Sequence, residues 1–496
     1  MNAAACFSSL NPRANKEVRE LLPFCVGTVL ALVVSSVIWP LDAESFAPGV
    51  FGLGCALMAG SVFGSEFQRR TMPLLLSHPV RRAVLWREKM LALGAGLGVS
   101  FAVVCVVVAK VSGRPQDLQL PWAFALIAAV AFCTTPYWTL VTRNGLLGIV
   151  LSAGVPGMLL GADALVCWWL FKDASCGECS YVPLLLGYCL LAYWRGYARF
   201  RELQVLEELA PDLRLPDWVE VFVVRRLSGL TRRFAGGFAS LVKKELRLQQ
   251  ASFLAAGMFT LLALAALCLH GVYRELAIGI FGGDTAVYVL VLPLLAGALS
   301  LGEEQAWNIA DWQLTLPPSA ARQWLAKLLT TFSTSLVLGV LLPTLAFLLG
   351  DALFGNGRGD PSPPWFIMQG LVLGQCCLTA LAVFCGSSCG STLRGILLAF
   401  GLLPALGLAI YFGWWVGENW YGRQHYLMGA LLSDTFPAVT AWLEASAEFL
   451  VLGCLSLVFA FANYRQRGVM VNRIIVQMLV LLCLAGVSTT LFVAFR

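Results

Sequence analysis

Residues 49–109 read GVFGLGCALMAGSVFGSEFQRRTMPLLLSHPVRRAVLWREKMLALGAGLGVSFAVVCVVVA. Two runs without a charged side chain, about 49–64 and 90–109, stand on either side of a basic loop. In a bilayer no water can satisfy backbone N–H and C=O groups, so uncharged runs of about 18 or more residues are read as helices that satisfy themselves. The loop has a different character. Pro73 and Pro79 interrupt it, Leu74, Leu75 and Leu76 form an apolar patch, and Arg69, Arg70, Arg81, Arg82, Arg87 and Lys89 surround that patch.

The rest of the chain repeats this alternation. Of 496 residues, 59% are hydrophobic and 12% charged, and the mean hydropathy is +0.78. That leaves too little charge to cover a soluble surface of this size. Spans are expected near 22–39, 49–64, 90–109, 121–142, 145–171 and 183–198, then 251–272, 285–302, 326–350, 365–386, 395–416 and 446–463, with a last one near 474–495. The fold class is therefore all-α: a polytopic membrane protein of about 12–13 transmembrane helices in two similar halves. The expected organisation is a first half over 1–200 opening with an amphipathic helix, a charged linker over 201–250, a second half over 251–464, and an extra C-terminal helix over 465–496. With the N-terminus cytoplasmic, inside segments hold about 27 of the 34 basic residues and outside segments about six, the asymmetry that sets topology. The expected location is the plasma membrane, as in a bacterial inner membrane.

The halves echo each other. Lys16-Glu17 precedes the first span and Lys244-Glu245 the seventh. After the second and eighth spans, Gly64, Glu66, Pro79, Trp86 and Lys89 are matched by Gly302, Glu304, Pro317, Trp324 and Lys327 at a single offset of 238 residues. On physical grounds alone, such a loop either lies on anionic lipid or docks into a groove of a soluble partner.

A Lys-Glu opening, then Gly-x-Glu, Arg-Thr, Leu-Leu-x-x-Pro-Val-x-Arg and Trp-x-x-Lys, resembles permeases of the ABC-2 type. Lys16, Glu17, Gly64, Glu66, Arg70, Thr71, Leu75, Leu76, Pro79, Val80, Arg82, Trp86 and Lys89 carry the likeness. It covers about 14–110 and 240–350, and elsewhere rests on span count. The resemblance implies a transporter subunit, mainly of exporters, whose cytoplasmic loops touch separate ATP-binding cassette ATPases. It implies partner-coupling roles for Glu66, Arg69, Arg70, Pro79, Arg81, Arg82, Arg87 and Lys89, and for Glu304, Pro317, Arg322 and Lys327. ATP and Mg would sit on the partner, since the chain has no Gly-Lys pair and hence no phosphate-cradling loop. The second loop departs from the pattern: it lacks the paired arginines and carries Trp307 and Trp312.

No catalytic, cofactor or metal constellation stands out, and the linker does not read as a nucleic-acid surface. Cys176 and Cys179 stand in an expected outside loop, where a disulfide, free thiols or half of a metal site are all open. Asp163 is the clearest acid inside a span; Gly154, Pro156 and Gly157 in the same span either break it or are an ordinary feature of the kind membrane helices commonly carry without function. Two other function classes stay open: a cation-gradient-driven secondary transporter, and a membrane scaffold without transport.

Overall fold

The structure, a computed structural model, describes residues 12–38, 43–69, 71–77, 79–111, 119–171, 175–203, 237–270, 274–306, 319–354, 365–417, 437–466 and 471–495. Sixteen α-helices form among the described residues. The first seven are α1 (Pro12–Ile38), α2 (Ala43–Gln68), α3 (Met72–Ser77), α4 (Arg82–Val111), α5 (Gln119–Thr142), α6 (Gly145–Phe171) and α7 (Ser175–Glu202). There follow α8 (Gly237–Leu248), α9 (Gln250–His270), α10 (Arg274–Ala306), α11 (Ala320–Leu336), α12 (Leu342–Phe354), α13 (Trp365–Ser388), α14 (Thr392–Val416), α15 (Pro437–Arg465) and α16 (Val471–Phe495). A π-helical turn, Val337–Leu341, joins α11 to α12 into one span.

Eleven of these segments are long and apolar enough to cross a membrane. Only α7 and α15 among the expected spans fall short. Tyrosines and arginines lower the hydropathy of α7, and the apolar described stretch of α15 is Phe449–Arg465. The outer faces carry exposed Leu30, Leu190, Leu191, Phe412 and Val476. An apolar exterior along spanning helices suits lipid, not water.

The chain packs as two compact units, one of Met1–Ser228 with Gly257–Asp284 and the other of Gly229–Ala256 with Thr285–Arg496. These packing units interleave with the sequence repeat, because most of α9 belongs with the first unit. The cause is legible in α6. A Cβ on Gly154 would meet Met258, one on Gly157 would meet Leu262, and one on Gly161 would meet Ala265. No break occurs at Gly154, Pro156 and Gly157; α6 is continuous through Pro156. Its glycines instead form the flat face on which α9 lies, as small residues do between membrane helices.

In the first unit, Phe51 meets Phe124 edge-on at 5.5 Å, above buried Leu57, Met58 and Leu93. The loop between α5 and α6 is tight. Arg143 adopts a left-handed φ of 54°, and the Asn144 side chain accepts from the Leu146 N–H at 2.9 Å, capping α6.

In the second unit, Leu294, Ala382, Phe384, Ala399, Ala460 and Ala485 form the centre. The last helix, α16, is seated firmly: a Cβ on Gly413 of α14 would lie 2.3 Å from the Gly486 carbonyl oxygen. Thr490 then donates to the Gly413 carbonyl at 3.1 Å. A buried polar cluster also stands in this unit. Ser335 bonds Thr379 at 2.7 Å, and Gln375 donates to the Val289 carbonyl at 2.5 Å. Gly339, inside the π turn, leaves room for the Gln375 side chain.

Candidate functional site

Each unit carries the same four-residue cluster at one end of its helices. In the first, the Lys89 ammonium at the start of α4 is 2% exposed. It donates to Glu17 of α1 at 2.8 and 2.9 Å, to the Val62 carbonyl of α2 at 3.1 Å, and to Glu66 of α2 at 3.5 Å. Lys16, half in solvent, reaches Glu66 at 3.1 Å. In the second, Lys327 of α11 bonds Glu245 of α8 at 2.8 Å, Glu304 of α10 at 2.5 Å and the Ser300 carbonyl at 3.3 Å. Lys244 reaches Glu304 at 2.6 Å. Two lysines and two glutamates make each cluster electrically neutral, which is what makes burial of three of its charged groups tolerable.

The clusters have a local logic. A Lys-Glu pair on the entering helix places its two side chains on different sides, so the lysine stays near solvent while the glutamate turns inward. The buried lysine comes from the next-but-one element and finds a carbonyl one helical turn before the second glutamate. Even this carbonyl acceptor is matched, Val62 with Ser300, at the same offset as Glu66 with Glu304. Glu245 has its pKa raised by burial, with Lys327 opposing that rise.

Among the described residues, the second carboxylate oxygen is held differently in the two clusters. Thr71 donates its hydroxyl to Glu66 Oε2, while its N–H bonds the Glu66 carbonyl at 2.9 Å. The matching Glu304 Oε2 is buried and has no hydrogen-bond partner among the described residues.

Beside each cluster stands a tryptophan. Trp86 packs on Phe63 at 5.4 Å, Phe200 at 5.6 Å and Tyr193 at 5.9 Å. Trp324 packs on Phe461 and Tyr464, both at 5.5 Å. Tyr464 also donates to buried Gln323 at 3.0 Å. Read from the sequence, Tyr193 and Tyr464 are ordinary boundary aromatics. In the fold Tyr193 of α7 packs against Trp86 of α4, and Tyr464 of α15 against Trp324 of α11.

The twelve residues singled out from the sequence divide by exposure. Glu66, Lys89, Glu304 and Lys327 are buried and face inward. Their side chains hold the helices together and present nothing to a partner. Pro79, Arg81, Arg87 and Arg322 are exposed. Arg81 and Arg87 have no ion-pair partner among the described residues. Arg69 is paired with Glu20 at 3.0 Å. Arg82 donates to the Arg201 carbonyl at the end of α7, where the helix dipole favours a cation. Short α3 buries Met72 and turns Leu74, 67% exposed, to the outside. Arg70 and Pro317, with Trp307 and Trp312, lie outside the described residues.

Lys16, Glu17, Lys244 and Glu245 complete the clusters; the sequence marked them as the repeated Lys-Glu pair and not as site residues. Asp163 accepts a hydrogen bond from Ser180 at 2.8 Å, so it is a satisfied polar contact between α6 and α7. The backbones of Cys176 and Cys179 lie in α7; their side chains lie outside the described residues.

Comparison with protein-family models, curated proteins and solved structures finds no match for this chain. Fold and composition nonetheless define a class: an all-α, multi-pass integral membrane protein.

Proposed function

We propose that this chain is the membrane-spanning permease of an ABC transporter, carrying both halves of the translocation path and driven by separate cassette ATPases. One observation carries the reading. Exposed Leu74, Arg81 and Arg87 lie on the segment of α3 and the start of α4 that also carries Lys89, whose neutral cluster ties α1, α2 and α4 together. A partner pressing on that surface moves three helices as one piece, which is what mechanical coupling requires. In the proposed topology the N-terminus and both clusters are cytoplasmic, ATP and Mg are bound by the partner, and substrate leaves the cell. The exposed arginines attract an acidic patch on the cassette, while the buried lysines keep the linkage stiff.

The test is an affinity pull-down from native membranes in mild detergent, with ATP hydrolysis assayed on the eluate. A co-purifying cassette protein with vanadate-sensitive hydrolysis supports the proposal. Arg81→Glu with Arg87→Glu is expected to reduce both by about tenfold or more, since each reversal replaces attraction by like-charge repulsion. A chain that elutes alone, even after crosslinking, removes it.

A cation-gradient-driven carrier is the second reading. Asp284 favours it: this acid lies within spanning α10, and its buried Oδ2 has no hydrogen-bond partner among the described residues. Uptake into vesicles driven by a proton or sodium gradient without ATP, and lost in Asp284→Asn, is its signature.

A further inference from the structure

Within the second unit, an open cleft of about 900 Å³ is lined by residues of α15 and α16 near the end where Tyr464 meets Trp324. Its volume falls within the roughly 300–1,000 Å³ range of ligand pockets. Val458, Phe459 and Val476 make one part of its wall apolar; Asn472, Arg473 and Gln477 make the other part polar. Among the described residues no acidic side chain lines it. Arg473 is half-buried and has no ion-pair partner among the described residues. Beside the cleft, the Arg465 guanidinium lies 5.9 Å from the Phe461 ring centre. The floor is fixed, because Asn463 and Gln477 exchange two amide hydrogen bonds at 3.0 and 3.1 Å.

We infer that this cleft holds one anionic phospholipid, its acyl chain along Val458, Phe459 and Val476 and its phosphate on Arg473 and Asn472. The argument is charge and shape together. An unpaired guanidinium beside an apolar trough is half of an amphiphile's complement, and the missing half is an anion attached to a hydrocarbon. A free phosphate would leave the trough empty, and a neutral lipid would leave Arg473 without its anion. The position suits a bilayer ligand, because exposed Val471, Ile475 and Val476 show that this face of α16 meets lipid. Basic pockets between spanning helices at the membrane boundary are where anionic headgroups bind.

The full chain, purified in a neutral detergent, is titrated with phosphatidylglycerol or with phosphatidylcholine of the same acyl chains. Binding is read by native mass spectrometry and by the thermal unfolding midpoint. Phosphatidylglycerol is expected to be retained and to raise the midpoint, phosphatidylcholine to do so far less. Arg473→Ala is expected to weaken phosphatidylglycerol binding about tenfold, the loss of one charge-assisted contact, while Arg394→Ala on exposed α14 leaves it unchanged. Val476→Trp, which fills the trough and keeps the arginine, is expected to weaken it comparably and serves if Arg473→Ala does not fold. Equal retention of both lipids, full binding by Arg473→Ala, or competition by glycerol phosphate as effective as the lipid itself would each overturn the inference.

Discussion

At the residue scale, the weight of the structure falls on two lysines. Lys89 and Lys327 are each about as enclosed as a leucine in the core, at 2% exposure. Removing either leaves two buried carboxylates with only one partly exposed lysine, Lys16 or Lys244, to offset them. Breaking one partner of a buried ion cluster destabilises by about 3–5 kcal/mol. Lys89→Ala and Lys327→Ala are therefore expected to lower the thermal midpoint of the purified protein markedly. Arg81→Ala and Arg87→Ala, exposed and unpaired, are expected to change it little, by within about 0.5 kcal/mol. Equal midpoints for the lysine and arginine variants would show that the clusters do not hold the fold. The sequence made the lysines and glutamates visible, because their types recur at one spacing. It could not show which of them point inward, since burial is settled by the helices that close over a side chain and not by its own neighbours in the chain. So Glu66 and Lys89 were grouped with Arg81 and Arg87, although only the arginines reach the surface.

At the element scale, the spans were legible and their packing was not. Each expected span is a helix in the described residues, because long uncharged runs admit no other solution in lipid. The π turn at Val337–Leu341 left no trace in hydropathy, since it changes backbone pairing and not residue type. The glycines of α6 were ambiguous for a related reason. A small residue in a membrane helix signals either a break or a close neighbour, and only the neighbour decides. The same ambiguity covered α16, which the sequence presented as an appended helix without a role. The Gly413 and Gly486 contact makes it part of the second unit. Gly486→Leu is expected to push α16 off α14, giving a lower thermal midpoint. Gly401→Leu on the same α14, where nothing lies within 4 Å of the added atom, is the matched control. Equal behaviour of the two variants would mean that α16 is held by something other than this close approach.

At the scale of the whole molecule, the repeat and the packing do not share a boundary. The repeat starts its second copy at Lys244-Glu245, yet Gly257–Asp284 packs with the first unit. A duplicated chain whose copies folded independently would place that segment with its own copy. Here the glycine face of α6 at Gly154, Gly157 and Gly161 is complete only when Met258, Leu262 and Ala265 of α9 lie on it. The first half alone therefore leaves a flat helix face uncovered, and a helix–helix contact of this kind in lipid is stabilised by packing that lipid tails reproduce poorly. Splitting the chain between residues 204 and 236 tests this directly. Co-expressed fragments are expected to co-purify without a covalent link. Gly157→Leu with Gly161→Leu in the first fragment is expected to abolish the co-purification, because each added side chain would enter the space of Leu262 or Ala265. Gly187→Leu on α7, which meets nothing within 4 Å, is expected to leave it intact. Fragments that separate cleanly and remain folded would make the two halves autonomous, and would return the boundary between them to the one the repeat marks.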